Sequence, residues 1–219
     1  MHLEKYIDHT LLKPTATVNE IEKLCQEAME YQFFSVCVNS GYVPLAKQIL
    51  KATDVKVCSV VGFPLGAMST FAKIYETTQA LQDGADEIDM VMNVGYFLSG
   101  QTDKVLEEIA LIKRETDKKI LKVILETCFL NDEQKKLACQ ICVDAGADFV
   151  KTSTGFGSGG ATPEDVILMR DTVAGKAKVK ASGGIRDQKT ALEYIALGVE
   201  RIGTSNGIAI VKGGTGSGY

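Results

Sequence analysis

The sequence predicts an α/β fold that closes into a single-domain (β/α)8 TIM barrel. Eight short β-like runs alternate with longer helical patterns along the 219 residues, and alternating units of this kind build a parallel sheet. Three junctions, at Gly84, Gly146 and Gly198, repeat one order of features: a helix end, a glycine, an acidic residue and the next strand. Eight successive units imply a closed barrel, which we expect to follow an N-terminal helical segment.

The eight predicted strands are short. They are Tyr6–His9, Phe34–Val38, Val57–Val61, Glu87–Val91, Leu121–Leu125, Phe149–Thr152, Val179–Ser182 and Arg201–Thr204. The first has the weakest pattern, because it is brief and lies near a terminus. An open doubly wound sheet is the alternative, but such a sheet places its ligand-binding glycines after the first strand. Here the glycine-rich turns come late in the chain, which favours the barrel.

Capping residues mark where helices begin. Thr17 and Glu20 form a capping-box pattern ahead of apolar residues at helical spacing. Thr162 precedes a proline and two acidic residues, an order typical of an N-cap and a first helical turn. We therefore expect helices to begin just after Thr17 and Thr162.

Composition narrows the functional class. The chain is 45% hydrophobic and 24% charged, with a net charge of −4, which suits one substantial core. It has no basic stripe, so we expect no nucleic-acid partner. It also has no apolar run long enough for a membrane span and no signal-peptide pattern. We expect a soluble cytoplasmic protein with a barrel domain over residues 1–211 and a flexible Gly/Ser-rich tail over residues 212–219.

Cysteine and histidine content argues against a metal centre. The six cysteines are scattered and accompany no secretion signal, so a disulfide framework is not expected. Cys139 and Cys142 form a lone C-x-x-C motif, but they lie on one apolar face of a helical pattern, and no second pair or nearby histidine completes a zinc site. The sequence has only two histidines, His2 and His9, which argues against histidine-rich metal sites and most histidine-based catalytic triads.

Polar residues within or closing the predicted strands are the candidate site, because barrel active sites lie at the C-terminal ends of the strands. They are Asp8, Asp89, Lys122, Glu126, Lys151 and Lys180. Side chains alternate along a strand, so Glu87 shares the face of Asp89. Buried charges are tolerated where each has an opposite partner. We expect a mixed-charge cluster at the barrel mouth.

Lys151 and Lys180 are the central pair of this set. Each closes a short apolar strand and opens a glycine-containing turn, in matching βα units. Burial and a second ammonium both favour a neutral amine, which is a nucleophile. A second ammonium at about 4 Å, with an effective dielectric near 20, supplies about 4 kcal/mol, roughly what a working lysine nucleophile requires. The pair predicts covalent catalysis on a carbonyl.

The remaining polar candidates have competing structural explanations. Lys122 lies near a strand start and suits either a structural ion pair or an active-site role. Glu126, at a strand end, is expected to partner the lysines. Asp8 lies in an Asp-His-Thr turn that can be a local hydrogen-bonding cap. Asp89 lies inside a strand, where an unpaired carboxylate would be costly, so a functional role is favoured.

Glycine-rich turns after the last strands predict a phosphate site. Many barrels bind phosphate with the loops after strands seven and eight, using backbone N–H groups and a helix N-terminus. Glycine permits close approach of the backbone, hydroxyl groups add donors, and arginine adds a counter-charge. The predicted phosphate-binding residues are Gly155, Gly183, Gly184, Arg186, Gly203, Thr204, Ser205 and Asn206.

Seven segments of the chain are similar to those of a known enzyme family: residues 7–12, 62–66, 87–91, 122–127, 151–156, 180–186 and 201–205. Through these segments the chain closely resembles the deoxyribose-phosphate aldolase family. The two lysine motifs in this order are specific to the family. The resemblance implies a class I aldolase of deoxynucleoside catabolism, without metal or organic cofactor. It would cleave 2-deoxy-D-ribose 5-phosphate reversibly to acetaldehyde and D-glyceraldehyde 3-phosphate.

The resemblance also implies roles for single residues. Lys151 matches the lysine that forms the Schiff base, and Lys180 matches the lysine that favours its neutral form. Asp89 matches the aspartate that acts as acid and base through a water. The family further implies a homodimer with small phosphosugar and aldehyde substrates.

Two positions and two alternatives stay open at this point. Asn206 stands where a second serine is expected in the phosphate loop. Tyr219 ends the chain, and a C-terminal tyrosine in this family can enter the site as a proton shuttle; seven glycine-rich residues reach at most about 23–25 Å. The alternatives are a transaldolase-like Schiff-base barrel enzyme and a phosphosugar-binding protein without catalysis.

Overall fold

Eight parallel strands close into a barrel in the computed structural model, which describes residues 2–217. The strands are β1 (Ile7–Leu11), β2 (Ser35–Val38), β3 (Lys56–Val61), β4 (Glu87–Val91), β5 (Ile120–Ile124), β6 (Phe149–Lys151), β7 (Lys178–Ser182) and β8 (Arg201–Thr204). Each strand pairs with its neighbours in chain order, and β8 pairs with β1. The predicted (β/α)8 barrel is confirmed, and the open doubly wound sheet is wrong.

Helices connect the strands around the barrel. They are α1 (Val18–Glu30), α2 (Val43–Leu50), α3 (Thr70–Gln82), α4 (Val94–Leu98), α5 (Thr102–Thr116), α6 (Asp132–Asp144), α7 (Pro163–Val173), α8 (Gln188–Ala196) and α9 (Gly207–Val211). A 3-10 turn over Leu3–Tyr6 forms the expected N-terminal helical segment. None of the described helices combines the length and the apolar character that a membrane span requires.

The predicted capping residues start α1 and α7. The Thr17 side chain accepts from the Glu20 N–H, and the Glu20 carboxylate accepts from the Thr17 N–H at 2.8 Å. Thr162 accepts from the Asp165 N–H at 3.1 Å, and Pro163 is the first helical residue. These side chains satisfy N–H groups that have no partner within the helix, so both predicted helix starts are confirmed.

Glycines end three helices at the repeated junctions. Gly84, Gly146 and Gly198 have φ values of 105°, 81° and 96°. Glycine enters this left-handed region without the steric cost that a Cβ would add. The chain can therefore turn sharply from each helix into the following strand.

The acidic residue after the glycine anchors the bottom of the barrel at two of these junctions. Asp86 accepts from the Val57 N–H at 3.0 Å, at the start of β3. Asp148 accepts from the Leu121 N–H at 2.8 Å, at the start of β5. At these two junctions, the acidic side chain therefore links the residue before one strand to the start of the preceding strand.

Strand alternation separates an apolar outer layer from a polar interior, as β4 illustrates. Ile88 and Met90 are fully buried in the main hydrophobic core. Asp89, between them, contacts lysines of β5, β6 and β7. One side chain can meet three other strands in this way only from inside the barrel, so this face of β4 points inward.

The described part of the tail packs against the loop after β7. The Gly216 N–H donates to the Arg186 carbonyl at 2.8 Å. Thr215 forms an isolated antiparallel bridge with Asp187. Tyr219, the suggested proton shuttle, lies outside the described residues.

Candidate active site

Asp89 is the centre of a charged cluster inside the barrel. Its Oδ1 accepts from Lys122 Nζ at 2.7 Å, and its Oδ2 accepts from Lys151 Nζ and from Lys180 Nζ, both at 2.8 Å. The strand register places Asp89 beside Lys122 and Lys151 beside Lys180. Barrel closure thus brings together the three residues that the sequence suggests as catalytic.

A second set of ion pairs surrounds this centre. Arg201 of β8 binds Asp8 at 2.9 Å and also binds Glu87. Lys122 binds Glu87 at 2.6 Å, and Lys180 pairs with Asp8. Asp8 therefore acts through its carboxylate as an ion-pair partner inside the barrel, rather than as a local turn cap.

Arg201 is a site residue that the sequence reasoning misses. It opens β8 and is buried, with its guanidinium 3.4 Å from the centroid of the Phe34 ring. One feature of the sequence could have indicated this role, because an arginine at the start of a buried strand needs acidic partners. Asp8 and Glu87, on inward faces of other strands, supply them.

The charges in this cluster shift pKa values in opposite directions. Burial raises the pKa of Asp89, but its three lysine partners outweigh burial and hold that pKa well below its ordinary value. Burial lowers the pKa of Lys180, but Asp8 and Asp89 outweigh burial and raise that pKa above its ordinary value. Burial also lowers the pKa of Lys122, but Asp89 together with Cys58, Glu87 and Asp8 outweighs burial and raises that pKa. Asp89 is therefore ionised at neutral pH, and Lys122 and Lys180 are protonated.

The cluster holds more positive than negative groups. The four cationic side chains are Lys122, Lys151, Lys180 and Arg201, and the three carboxylates are Asp8, Glu87 and Asp89. Among the described residues, Lys151 contacts one of these carboxylates, whereas each other cation contacts two. Lys151 is therefore the least compensated cation. This differs from the expected pair of like charges, since Lys180 contacts two carboxylates, Asp8 and Asp89.

Lys151 is also the cluster cation that borders an open cavity. The cavity has a volume of about 230 Å³ and is lined by Thr10, Leu12 and the loops after β6, β7 and β8. The side chain of Lys151 is 3% exposed, while those of Lys122 and Lys180 are 0% exposed. A molecule entering the cavity therefore meets the Lys151 amine before the other two.

Most of the predicted phosphate-binding residues line this cavity. They are Gly155, Gly183, Gly184, Arg186, Gly203, Thr204 and Ser205. Asn206 is the exception: it is buried, and its carboxamide lies so close to Gly216 that a Cβ there would overlap it. The departure from serine thus falls at a position that packs against the tail.

Gly203 has a second role inside the barrel. A Cβ at this position would lie 3.2 Å from Lys180 Cε and 3.0 Å from Ser182 Cβ. The absence of a side chain therefore leaves room for Lys180 to extend toward Asp89.

A glycine-rich run in the loop after β6 lines the cavity as well, and the sequence reasoning misses it. The run is Gly157-Ser158-Gly159-Gly160. A Cβ on Gly160 would overlap the carbonyl of Gly183, so the loops after β6 and β7 meet backbone to backbone. The three glycines within these four residues are the feature of the sequence that could have indicated this part of the cavity wall.

Comparison with known proteins assigns the chain to a family. A family model described as DeoC/LacD family aldolase matches residues 3–212. The chain belongs to this aldolase family. It is 55% identical over 221 residues to the deoxyribose-phosphate aldolase of Brevibacillus brevis, with 100% of both chains covered. It is 58% identical over 213 residues to that of Finegoldia magna, covering 97% of this chain and 100% of the relative.

Solved structures of aldolases share the fold. QR15, an aldolase, is similar with a TM-score of 0.93 and 48% identity, covering 96% of this chain and 94% of that one. The deoxyribose phosphate aldolase of Aeropyrum pernix, described as a tetramer, is similar with a TM-score of 0.88 and 34% identity, covering 96% and 89%.

Glu126 of this aldolase-family chain supports a loop. Its backbone is left-handed, with φ 54° and ψ 64°, just after β5 ends. Its carboxylate accepts from the Thr154 N–H at 3.1 Å and from the Thr154 hydroxyl. Glu126 therefore does not partner the lysines as expected. It instead holds the segment that follows Lys151 through its hydrogen bonds with Thr154.

Cys37, Cys58 and Asp89 are the candidate metal group within residues 2–217 of the aldolase fold, with ligand atoms within 4.8 Å of one another. Asp89 already accepts from three ammonium groups. A divalent cation would add positive charge to a cluster that already has an excess of it. The donor set is therefore unsuited to a metal.

Proposed function

We propose that this chain is a deoxyribose-phosphate aldolase that reversibly cleaves 2-deoxy-D-ribose 5-phosphate to D-glyceraldehyde 3-phosphate and acetaldehyde. Lys151 forms the Schiff base with the substrate. The observation that carries the proposal is the position of its amine. The amine lies between a cluster that has more cationic than anionic groups and a cavity lined by glycine-rich loops.

The charge balance of the cluster supports a nucleophilic Lys151. The cluster becomes neutral when one cation gives up a proton. Lys151 has one carboxylate contact, which it shares with Lys180, so it loses the least by deprotonation. A neutral amine beside the cavity can then attack a carbonyl.

Attack of Lys151 on the aldehyde of the open-chain sugar, followed by loss of water, gives an iminium. The iminium accepts the electron pair of the C2–C3 bond as that bond breaks and the C3 hydroxyl proton is removed. Asp89, oriented by Lys180, is the base for this proton and acts through a water. Glyceraldehyde phosphate leaves, the enamine takes up a proton, and hydrolysis releases acetaldehyde and the free amine.

The loops after β6, β7 and β8 hold the phosphate end of the substrate. Their glycines allow backbone N–H groups to approach the phosphate, and Ser205 and Arg186 add a hydroxyl donor and a positive charge. Binding the phosphate fixes the distance between the sugar carbonyl and Lys151, which raises the effective concentration of the reacting groups.

Borohydride reduction in the presence of acetaldehyde tests the proposal. We expect one N-ethyl group, mapped by peptide mass spectrometry to Lys151, and its loss in Lys151→Leu. Lys178→Leu is the matched control, because Lys178 lies on the neighbouring strand and is exposed. Modification that persists in Lys151→Leu would contradict the proposal. Dihydroxyacetone in place of acetaldehyde should give no adduct, which separates this activity from that of a transaldolase-like enzyme.

The proposal extends to assembly and location. We propose a homodimer that acts in the cytoplasm, in deoxynucleoside catabolism. Three apolar side chains of α3 and the loop before it support a contact between copies: Leu65, Phe71 and Tyr75 are 75%, 82% and 73% exposed. Light scattering during size-exclusion chromatography should give twice the chain mass, and a monomer or tetramer mass would contradict the dimer.

A further inference from the structure

Two cysteines adjoin the proposed active site, and the mechanism above uses neither. Cys37 of β2 and Cys58 of β3 are partners in the strand register and are fully buried. Their sulfur atoms and a carboxylate oxygen of Asp89 all lie within 4.8 Å of one another. The two thiols therefore share the interior of the barrel with the catalytic cluster.

The backbone geometry suits a bond between these thiols. Neighbouring strands lie about 4.8 Å apart, and disulfides join residues whose Cα atoms are about 4.4–6.8 Å apart. Register partners on parallel strands present their side chains on the same face. Rotation of the two side chains can therefore bring the sulfur atoms together while the strand pairing is kept.

Cys58 is coupled to the catalytic carboxylate. Its S–H donates to Asp89 Oδ1 at 3.1 Å, and Lys122 Nζ lies 3.6 Å from its sulfur. Burial raises the pKa of Cys58 well above its ordinary value, so the thiol keeps the proton that it donates. This donor adds to the ammonium groups that fix the orientation of Asp89.

Cys37 is better suited than Cys58 to attack an oxidant. A hydrogen bond from Cys58, aided by Lys180 and Lys151, lowers the pKa of Cys37 against the opposing effects of burial and the Asp89 charge. The thiolate is the form that reacts with oxidants. Since Cys58 has one S–H proton, that proton serves either Asp89 or the Cys37 sulfur at a given moment.

We infer that Cys37 and Cys58 form a redox-active dithiol, which a hydroperoxide entering the cavity converts to a disulfide, removing the S–H donor from Asp89. Thr10, which lines the cavity, is the register partner of Cys37 on the next strand, and this places the dithiol next to the cavity wall. The effect on activity rests on the proposed function, whereas the disulfide does not.

The oxidation balances with hydrogen peroxide as the oxidant. The Cys37 thiolate attacks one peroxide oxygen, the O–O bond breaks, and the released hydroxide takes up a proton to give water and a Cys37 sulfenic acid. The Cys58 sulfur then attacks the Cys37 sulfur, the S–O bond breaks, and a second water leaves with the Cys58 proton. Two thiols are oxidised to one disulfide, and one peroxide is reduced to two waters.

The second cysteine pair of the chain provides a matched control. Cys139 and Cys142 are also buried, but they lie on one face of α6 and belong to the main hydrophobic core. Burial raises the pKa of Cys139 to about 12 and that of Cys142 well above its ordinary value. We therefore expect both to resist peroxide.

The experiment treats the full-length protein with hydrogen peroxide and maps disulfides in unreduced digests. We expect a Cys37–Cys58 linkage, with kcat reduced about tenfold or more because a charge-assisted hydrogen bond is lost. Dithiothreitol should break the linkage and restore kcat, which excludes methionine sulfoxide as the cause. The linkage and the reversible loss should be absent in Cys58→Ser and present in a Cys139→Ser/Cys142→Ser double variant.

Three results would overturn the inference. One is a wild-type digest with no Cys37–Cys58 linkage after peroxide, and this measurement needs no variant. Another is a linkage without loss of activity. The third is a reversible loss that is equal in Cys58→Ser. If the linkage forms but borohydride traps no adduct on Lys151, the proposed function fails and the dithiol stands.

Discussion

Among single residues, Asp89 contributes most to the organisation of the site, because three lysine ammonium groups share its carboxylate. Asp89→Asn keeps the shape of the side chain and removes its charge. Three buried cations then lose a common counter-ion, and the proposed base is lost. We expect kcat to fall about 10²–10⁴-fold and Tm to fall as well, measured by steady-state cleavage and thermal unfolding.

Asp86→Asn is the matched control for this prediction. Asp86 also binds a lysine, Lys47 at 2.9 Å, and a backbone N–H, that of Val57. It directly precedes β4 and contacts the start of β3, on the opposite end of the barrel from the cavity. The variant should lower Tm and leave kcat near the wild-type value. Equal kcat in the two variants would contradict a catalytic role for Asp89.

Glu126 gives a prediction that separates support of a loop from amine chemistry. Glu126→Gln removes the charge that strengthens two hydrogen bonds from Thr154, and hydrogen bonds to charged groups contribute about 1.5–3 kcal/mol. We expect about tenfold lower kcat/KM for the phosphorylated substrate, while borohydride still traps acetaldehyde on Lys151. Glu133→Gln, on the exposed face of α6, should change neither. Loss of trapping in Glu126→Gln would place Glu126 in the amine chemistry instead.

The sequence identifies the three catalytic candidates because a charge inside an apolar strand is visible locally. It does not reveal the partner of Glu126, because a left-handed backbone after β5 directs that side chain toward Thr154. The sequence does not reveal the ion pairs of Arg201 for another reason. Its partners, Asp8 and Glu87, are 193 and 114 residues away in the chain, so they become neighbours only when the barrel closes.

Among the structural elements, the three glycine-rich loops act as one binding surface, because two of them touch through their backbones. Gly160→Ala places a Cβ against the Gly183 carbonyl, and backbone atoms cannot rotate away as a side chain can. The loops after β6 and β7 must therefore separate. We expect KM for the phosphorylated substrate to rise about tenfold or more with a smaller change in kcat, since the phosphate end loses its positioning.

Gly41→Ala is the control for added bulk at a glycine. A Cβ at Gly41 meets nothing within 4 Å, and the residue, just before α2, is not among those that line the cavity. Steady-state kinetics should be unchanged in this variant. A normal KM in Gly160→Ala would show that the contact between the two loops is unimportant for substrate binding.

The strand pattern predicts the elements well, and its errors come from pairing. β1 extends to Leu11, two residues beyond the predicted end, because Thr10 and Leu11 pair with Cys37 and Val38 of β2. Local sequence contains no record of that partner. By contrast, the glycines that end three helices act through their own backbone conformation, so the sequence alone locates them.

For the whole molecule, closure of the barrel and assembly of the site are the same event. Arg201 on the last strand binds Asp8 on the first, and Lys180 pairs with Asp8 from the strand before. These ion pairs cross the seam where β8 meets β1. The charged groups of the site therefore also contribute to the pH dependence of global stability.

The direction of that dependence follows from the pKa shifts. Burial alone would raise the pKa of Asp8 and Asp89, but their cationic partners outweigh it and lower both values in the folded state. Their stabilisation is present above the unfolded value, about 3.9, and is lost as pH falls toward the folded value. The pKa of Lys180 is raised, so its contribution is present below about 10.4 and is lost as pH rises through the folded value.

We therefore expect the unfolding free energy to be nearly flat, as far as this cluster is concerned, from about pH 5 to about pH 9 and to fall steeply below about pH 4. Urea unfolding at a series of pH values measures this profile. In Asp8→Asn, the ion pairs with Lys180 and Arg201 are broken, so the plateau should be lower at neutral pH. The decline below pH 4 should be shallower, because one carboxylate with a lowered pKa no longer takes up a proton on unfolding. If the unfolding free energy falls equally steeply below pH 4 in the wild type and in Asp8→Asn, Asp8 does not contribute to the pH dependence.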